Sequence, residues 1–186
     1  IYLVYESMDK IWLERSTNNG STWSLVNGGK PISFGTAKHP AITHVNGHNF
    51  VIVYQALNPD DSYNITAAYY TWYTDQVLCY STVINQDSKM YSEDATIVIG
   101  NSSSGINDFL VVWHEDDYGT FLPGGLYYKL GKINTAYSTI QWFDSGLIPT
   151  TTENSVNPTI GCKPEQNSYP IKFHLVWQNN VSTSRS

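Results

Sequence analysis

The chain is poor in positive charge and in long apolar runs. Its 186 residues contain 10 Lys and Arg against 16 Asp and Glu, which gives a formal net charge of −6. With so few cations there is no basic stripe to neutralise phosphates, and this argues against a nucleic-acid partner. No apolar run approaches the roughly 20 residues that a membrane span requires. We therefore expect neither a nucleic-acid partner nor a membrane span.

Cysteine and histidine patterns that hold metals are also missing. Only Cys79 and Cys162 are present, and we expect two buried thiols, although spacing does not exclude a disulfide. His114 and Glu115 lack the second histidine, four residues on, of a zinc protease helix. The remaining histidines are His39, His44, His48 and His174. They fall in separate predicted strands and turns, so core or turn roles are favoured over metal ligation.

Aromatic residues are abundant instead. They make up 14% of the chain and include 14 tyrosines. Aromatic and β-branched residues favour strands, whereas Asn and Gly favour the turns between strands. No segment carries a helical stripe of apolar residues. The composition therefore predicts an all-β protein with many turns.

One strand pattern occurs four times. Each copy has Val, then Tyr or Trp, then a polar residue able to hydrogen-bond, as in Val4-Tyr5-Glu6. The copies lie at 2–6, 51–55, 110–114 and 174–178. Runs this apolar and β-branched are typical of buried strands. We expect Val4, Val53, Val112 and Val176 to occupy equivalent places in successive sheets.

A second pattern precedes the last three copies, at 39–42, 94–97 and 157–160. Turn residues separate the two patterns, which indicates hairpins. Self-similarity at a period of about 50 to 60 residues predicts a propeller or a solenoid, and four strands per unit favour the propeller. We label the four strands of each predicted blade A to D in chain order. We predict a partial blade at 1–38, blades at 39–92 and 93–155, and a partial blade at 156–186.

The stretch at 16–23 has the form Ser-x-Asn-x-Gly-x-Thr-Trp, between two short apolar runs. Such a polar stretch predicts a hairpin turn. Asn18 can hydrogen-bond the turn backbone, and Gly20 can take the positive φ that a tight turn demands. Thr22 and Trp23 are predicted to begin the next strand, beyond the turn that starts at Ser16.

This stretch resembles the Asp-box of the bacterial neuraminidase repeat (BNR repeat), with Asn18 where that family more often has Asp. Such boxes close the outer hairpin of a propeller blade in sialidases and in non-catalytic relatives. The resemblance implies a structural role for the box and a sialidase-like β-propeller, as a non-catalytic member or a fragment. About three to four blades are present, so the ring needs neighbouring blades from a longer chain or from a second copy. We favour the longer chain.

The same resemblance bears on catalysis. Sialidases hold the substrate carboxylate with three arginines, because planar carboxylate recognition needs a fork of guanidinium donors. This chain has only Arg15 and Arg185, and no Arg-Ile-Pro signature. Arg15 directly precedes the box, at the end of the blade opposite to the usual ligand site. Sialidase catalysis is therefore unsupported within these residues, and we favour a non-enzymatic protein.

Acidic and aromatic residues collect in the predicted B–C connections. Their carboxylates could accept hydrogen bonds from sugar hydroxyls, with tyrosine rings as stacking surfaces, or could bind calcium through oxygen. A solvated acidic loop is the simpler interpretation, and no spacing matches a known calcium loop. The candidate binding residues are Asp60, Asp61, Tyr63, Glu115, Asp116, Asp117 and Tyr118.

Three functions remain open. The leading hypothesis is an exported propeller module, secreted or at the cell surface, that binds glycans or protein partners through its B–C and D–A loops. The chain opens inside a strand pattern at 1–5, so an upstream leader can precede it. The alternative is part of a glycoside hydrolase with a carboxylate pair drawn from Asp60, Asp61, Glu115 and Asp116. The third is an architectural repeat of a large surface protein.

Overall fold

The computed structural model describes residues 1–47, 49–84, 91–101, 107–116, 124–134, 137–151, 154–162 and 172–180. Its described part is all-β, with strands joined by turns and a single 3₁₀ turn at Asn27–Gly29. Strand-forming residues and turn-forming residues alternate along the chain, which explains this class. The predicted all-β fold class is confirmed.

The strands form four antiparallel sheets. Sheet I contains β1 (Tyr2–Ser7), β2 (Lys10–Arg15) and β3 (Ser24–Leu25). Sheet II contains β4 (Ala37–Asn46), β5 (Asn49–Leu57), β6 (Tyr63–Thr71) and β7 (Gln76–Ile84). Sheet III contains β8 (Tyr91–Asn101), β9 (Asn107–Asp116), β10 (Gly125–Asn134) and β11 (Thr139–Leu147). Sheet IV contains β12 (Ser155–Cys162) and β13 (Phe173–Asn179).

Successive sheets share one strand register. Ala41 pairs with Val53 in sheet II, and Thr96 pairs with Val112 in sheet III. Thr159 pairs with Val176 in sheet IV. The registers of β4–β5, β8–β9 and β12–β13 all shift just before these pairs, which marks a bulge at the same place in each sheet. Of the four valines predicted to be equivalent, Val53, Val112 and Val176 therefore share one position in the ladder, whereas Val4 of sheet I pairs with Leu13 of the following strand and is not tested by this register.

The hydrophobic core lies between successive sheets rather than within one layer. One buried cluster joins sheet I to sheet II, through residues such as Leu13 and Ile52. A second joins sheet II to sheet III, through Val53 and Trp113 among others. A third joins sheet III to sheet IV around Val112. Each inner sheet thus buries both of its faces, as its near-continuous apolar strands predict.

The two outer sheets bury one face each. Val4 packs on the cluster shared with sheet II, while its neighbour Leu3 points the other way and is 46% exposed. In sheet IV, Leu175 and Trp177 pack against sheet III, and Val176 is 69% exposed. The equivalent valine therefore faces the next sheet where a next sheet is present, and faces solvent in sheet IV.

The first strands of sheets II, III and IV lie next to one another. β8 contacts both β4 and β12, and each second strand contacts the first strand of the following sheet. One parallel pair, between Tyr63 at the start of β6 and Tyr91 at the start of β8, joins sheets II and III. This arrangement brings equivalent ends of successive sheets to the same side of the molecule.

Candidate functional site

The box turn between β2 and β3 uses its polar groups internally. Ser16 Oγ accepts a hydrogen bond from the Gly20 amide at 2.8 Å and donates to Asn18 Oδ1. Asn18 Oδ1 also accepts from the Thr22 amide at 2.9 Å, and its Nδ2 donates to Thr22 Oγ1 at 2.8 Å. Trp23 Nε1 donates to the Gly20 carbonyl, and Gly20 has the positive φ of +88° expected for it. The turn is held by its own side chains.

One detail of the box differs from prediction. The strand after the turn begins at Ser24 and contains only Ser24 and Leu25, so Thr22 and Trp23 lie in the turn and not in the strand. The amide and hydroxyl of Thr22 bond Asn18, and the indole of Trp23 bonds the Gly20 carbonyl. These groups are therefore engaged within the turn and not in pairing with β2.

The predicted acidic loop of sheet II is also closed on itself. Asp60 Oδ1 accepts from the Ser62 hydroxyl at 2.6 Å and from its amide, and these bonds lower the pKa of Asp60. Asn58 bonds Ser62 through both backbone and side chain. Asp61 is exposed with a left-handed φ of 63°, and Tyr63 is the first residue of β6. Both aspartates are exposed; Asp60 bonds the turn through its carboxylate, and Asp61 bonds it through its amide, which donates to the Asn58 carbonyl at 3.2 Å.

The corresponding acids of sheet III are not loop residues. β9 runs on through Asp116, so Glu115 and Asp116 belong to the strand, contrary to the prediction. Glu115 is only 3% exposed. Burial raises its pKa, and this rise is only partly offset by Trp113, by the Ser92 hydroxyl at 3.3 Å and by His114. Trp113 Nε1 is buried and has no hydrogen bond of normal geometry within the described residues, so we assign the offset mainly to Ser92.

His114 and Asp116 form a pair at the rim. The His114 ring is buried, and its Nε2 lies 3.4 Å from Asp116 Oδ1, whose side chain is 48% exposed. The strand pairings place Asp116 next to Tyr91, and Tyr91 next to Tyr63. Two predicted candidates from different sheets, Tyr63 and Asp116, are therefore brought to one continuous edge. Asp117 and Tyr118 lie outside the described residues.

The structure adds residues that the sequence did not single out as a site. His39, Asp94 and Asn157 occupy the bulge of the first strand in sheets II, III and IV, and all three have a left-handed φ near 50°. His39 Nδ1 lies 3.7 Å from Asp94 Oδ1. Glu6 of sheet I accepts a hydrogen bond from the His39 amide at 3.3 Å. We call Glu6, His39, Asp94 and Asn157 the bulge row.

The bulge row lies toward the end of the sheets that carries the predicted loops. His39 is near the start of β4, which pairs with the end of β5 just before the loop at 58–62. Asp94 is near the start of β8, which pairs with the end of β9 at Glu115 and Asp116. His39 and Asp94 are 55% and 32% exposed in their side chains, so their polar atoms reach solvent. Asn157 Nδ2 donates to Gln178 Oε1, the polar residue of the repeated strand pattern.

A sequence signal for the bulge row exists in retrospect. Each of its last three members is a short polar residue or a histidine directly before the apolar residues of the second repeated pattern. Asn, Asp and His are the non-glycine residues that tolerate a left-handed φ best. Their recurrence at equivalent positions marks the bulge, which the apolar periodicity alone does not reveal.

In the ranges that the structure describes there is no metal site and no disulfide. No group of three or more His, Cys, Asp and Glu side chains there is placed to hold a metal ion. Cys79 and Cys162 form no disulfide and are half buried, so they are less buried than predicted. His44 is an exposed residue of β4 whose Nε2 lies 2.8 Å from the carbonyl of Gly47, in the turn that follows. None of the helical segments described is long and apolar enough to cross a membrane.

Comparison of the chain with models of protein families, with curated proteins and with solved structures gives no match.

Proposed function

We propose that the four sheets are successive blades of a sialidase-like β-propeller that binds a ligand and does not catalyse a reaction on it. The blades are those expected at 1–38, 39–92, 93–155 and 156–186. Support comes from the shared register, from the cores between neighbouring sheets and from the series of contacts between first strands. Propellers bind their ligands with the loops at one end of such sheets, and the bulge row lies toward the end that carries the predicted loops.

The bulge row is the single observation that carries the proposal of binding. It lines up exposed acceptors and donors from successive sheets, with contacts from Glu6 to His39 and from His39 to Asp94. Backbone strain of this kind persists where the surrounding structure imposes it, and it clusters at functional sites. Closely spaced carboxylate, imidazole and amide groups suit the hydroxyls of a sugar, and Tyr63 with Asp116 extends the same edge. A glycan is the favoured ligand, and a protein partner is the alternative.

The test is a glycan array followed by calorimetric titration of the best glycan. Asp94→Asn removes the charge, and it keeps a residue that accepts the left-handed φ, as Asn157 does in sheet IV. We expect a loss of affinity of about tenfold or more, which corresponds to about 1.4 kcal/mol. Asp144→Asn, on the exposed outer strand β11, is the matched control and leaves binding unchanged. Equal affinity of wild type and Asp94→Asn would remove the bulge row from the site.

Glycoside hydrolysis is the second candidate, favoured by one observation. Glu115 is a buried carboxyl with a raised pKa next to the more exposed Asp116, and a general acid needs such a pKa. Hydrolysis of aryl glycosides that is abolished by Glu115→Gln would establish this function in place of simple binding. The absence of turnover with a panel of aryl glycosides, alongside measurable glycan binding, supports the non-enzymatic proposal.

A further inference from the structure

The opposite end of sheets I and II carries a different surface. Trp72 and Tyr73 occupy the turn between β6 and β7, where they are 38% and 73% exposed, with ring centroids 5.9 Å apart. Trp23 of the box is also 38% exposed and directly precedes Ser24, which pairs with Arg15. Strand β5 has nine residues and spans roughly 27 Å at ~3.4 Å per residue, so this surface is far from the bulge row.

Arg15 lies between these aromatic residues. Its guanidinium carbon is 5.4 Å from the centre of the Trp72 ring. Its Nε is buried and has no hydrogen-bond partner among the described residues, and no described carboxylate lies within 4.0 Å of the guanidinium. A guanidinium carries five N–H donors in a planar fork. Leaving a buried donor of a charged group unpaired is costly, so an acceptor is expected from outside this part of the chain.

One carboxylate within range of the Arg15 charge, that of Asp75, already accepts other hydrogen bonds. The charge of Arg15 acts on Asp75 and lowers its pKa, yet the two groups form no ion pair. Both Asp75 oxygens instead accept hydrogen bonds from sheet I and from Tyr70. These bonds also fix the turn that carries Trp72, so the surface is preorganised for a partner.

We propose that Arg15, Trp23, Trp72 and Tyr73 form a docking surface for a protein partner that inserts an Asp or Glu side chain beside an apolar side chain. The fork of Arg15 fits a carboxylate in two parallel hydrogen bonds. Exposed Trp and Tyr rings near a half-buried Arg have the composition of the residues that dominate protein–protein binding. A polyanion such as nucleic acid is disfavoured because one cation in a chain of net charge −6 cannot neutralise a row of phosphates.

The test is selection of random peptides displayed on phage against the whole chain, followed by titration of the selected peptides. We expect selected sequences with an Asp or Glu next to Leu or an aromatic residue. Replacement of that acid by Asn or Gln, and the variants Arg15→Gln and Tyr73→Ser, should each weaken binding by about tenfold or more. Asp94→Asn, at the other end, should leave peptide binding intact, so the two surfaces are tested separately.

Folding is checked by chemical unfolding of each variant. Arg15 Nε bonds no described group, but the guanidinium lies over the Trp72 ring and its charge favours ionised Asp75. Arg15→Gln should therefore lower stability slightly while the chain stays folded, which separates a binding loss from a folding loss. Three results would overturn the proposal. They are peptide binding that survives Arg15→Gln, equal binding of the acidic peptides and their amide counterparts, and binding of uronic-acid oligosaccharides with no selected peptide.

Discussion

Asp75 is the residue through which the structure makes its sharpest prediction about stability. It lies in the turn between β6 and β7 of sheet II. Its Oδ1 accepts from the Asn27 amide at 2.9 Å and from the Tyr70 hydroxyl at 2.7 Å, and its Oδ2 accepts from the Gly28 amide at 3.2 Å. Asn27 returns the contact, since its Oδ1 accepts from the Val77 amide at 3.2 Å. These reciprocal hydrogen bonds, which we call the clamp, join the 3₁₀ turn that follows sheet I to sheet II.

Asp75→Asn tests this clamp with little change of shape. An amide can keep both bonds to Oδ1, but its NH₂ group then faces the Gly28 amide, so a donor opposes a donor. Hydrogen bonds to charged groups contribute about 1.5–3 kcal/mol each. Because Asp75 is only half buried, water replaces part of the loss, and we expect destabilisation of about 1–2 kcal/mol at pH 7. Asp75→Ala should cost more, since it leaves the fully buried Tyr70 hydroxyl without its acceptor.

The pH dependence of the effect has a definite sign. Burial pushes the pKa of Asp75 up, but the bonds from Tyr70, Asn27 and Gly28, with the Arg15 charge nearby, outweigh it and hold the pKa below its usual value. An acid whose pKa is lowered on folding contributes its stability above the pKa of the unfolded chain, near 3.9, and loses it as the pH falls through the folded pKa. The difference in the free energy of unfolding between wild type and Asp75→Asn should be constant from pH 6 to 8 and should shrink below about pH 4.

The assay is urea unfolding, followed by tryptophan fluorescence, at several pH values. Asp144→Asn is a matched control, because Asp144 accepts from the Tyr128 hydroxyl at 3.3 Å but is exposed, and a change under about 0.5 kcal/mol is expected. The reasoning fails if Asp75→Asn and Asp144→Asn lose equal stability. It also fails if the Asp75→Asn deficit persists unchanged at pH 3.

Three further predictions follow from strain, packing and burial. Gly20→Val should destabilise by about 1–3 kcal/mol because φ is +88° at Gly20, whereas Gly161→Ala, with open space around it, should be neutral in the same unfolding assay. Gly131→Ala places a Cβ 2.7–2.8 Å from two aromatic rings and should cost about 1–3 kcal/mol, seen as a lowered urea midpoint. Burial raises the pKa of Glu115, so Glu115→Gln should be relatively more stable at pH 8 than at pH 4; a deficit that grows with pH would refute this sign.

The sequence predicted the sheets well because burial on both faces leaves a strong pattern. The runs around Val53 and Val112 are apolar at every position from Phe50 to Tyr54 and from Phe109 to Trp113, and the run around Val176 repeats them with His174 as the one polar residue. In the structure these residues keep one register, although only the first two are buried. The Gly20 turn was predictable for a similar reason, since few residues accept its φ.

The candidate site was harder to predict because it depends on departures from regular strands. His39 precedes Pro40, and a residue before proline normally favours extended backbone, yet its φ is 48°. The tolerance of His for a left-handed φ allows this bulge, against the preference that Pro40 sets. Glu115 was predicted in a loop because acids favour exposure, but β9 extends past it and its side chain is buried. The burial of Glu115 is not visible without the tertiary contacts.

The repeat divides the molecule into positions that stay constant and positions that vary. Each sheet keeps Val before an aromatic residue, and in sheets I to III the next sheet packs on that valine. At the bulge, the same backbone carries His39, Asp94 and Asn157 in turn, so one geometry presents imidazole, carboxylate and amide. Variation of these groups at one fixed backbone position fits the proposed recognition of an asymmetric ligand.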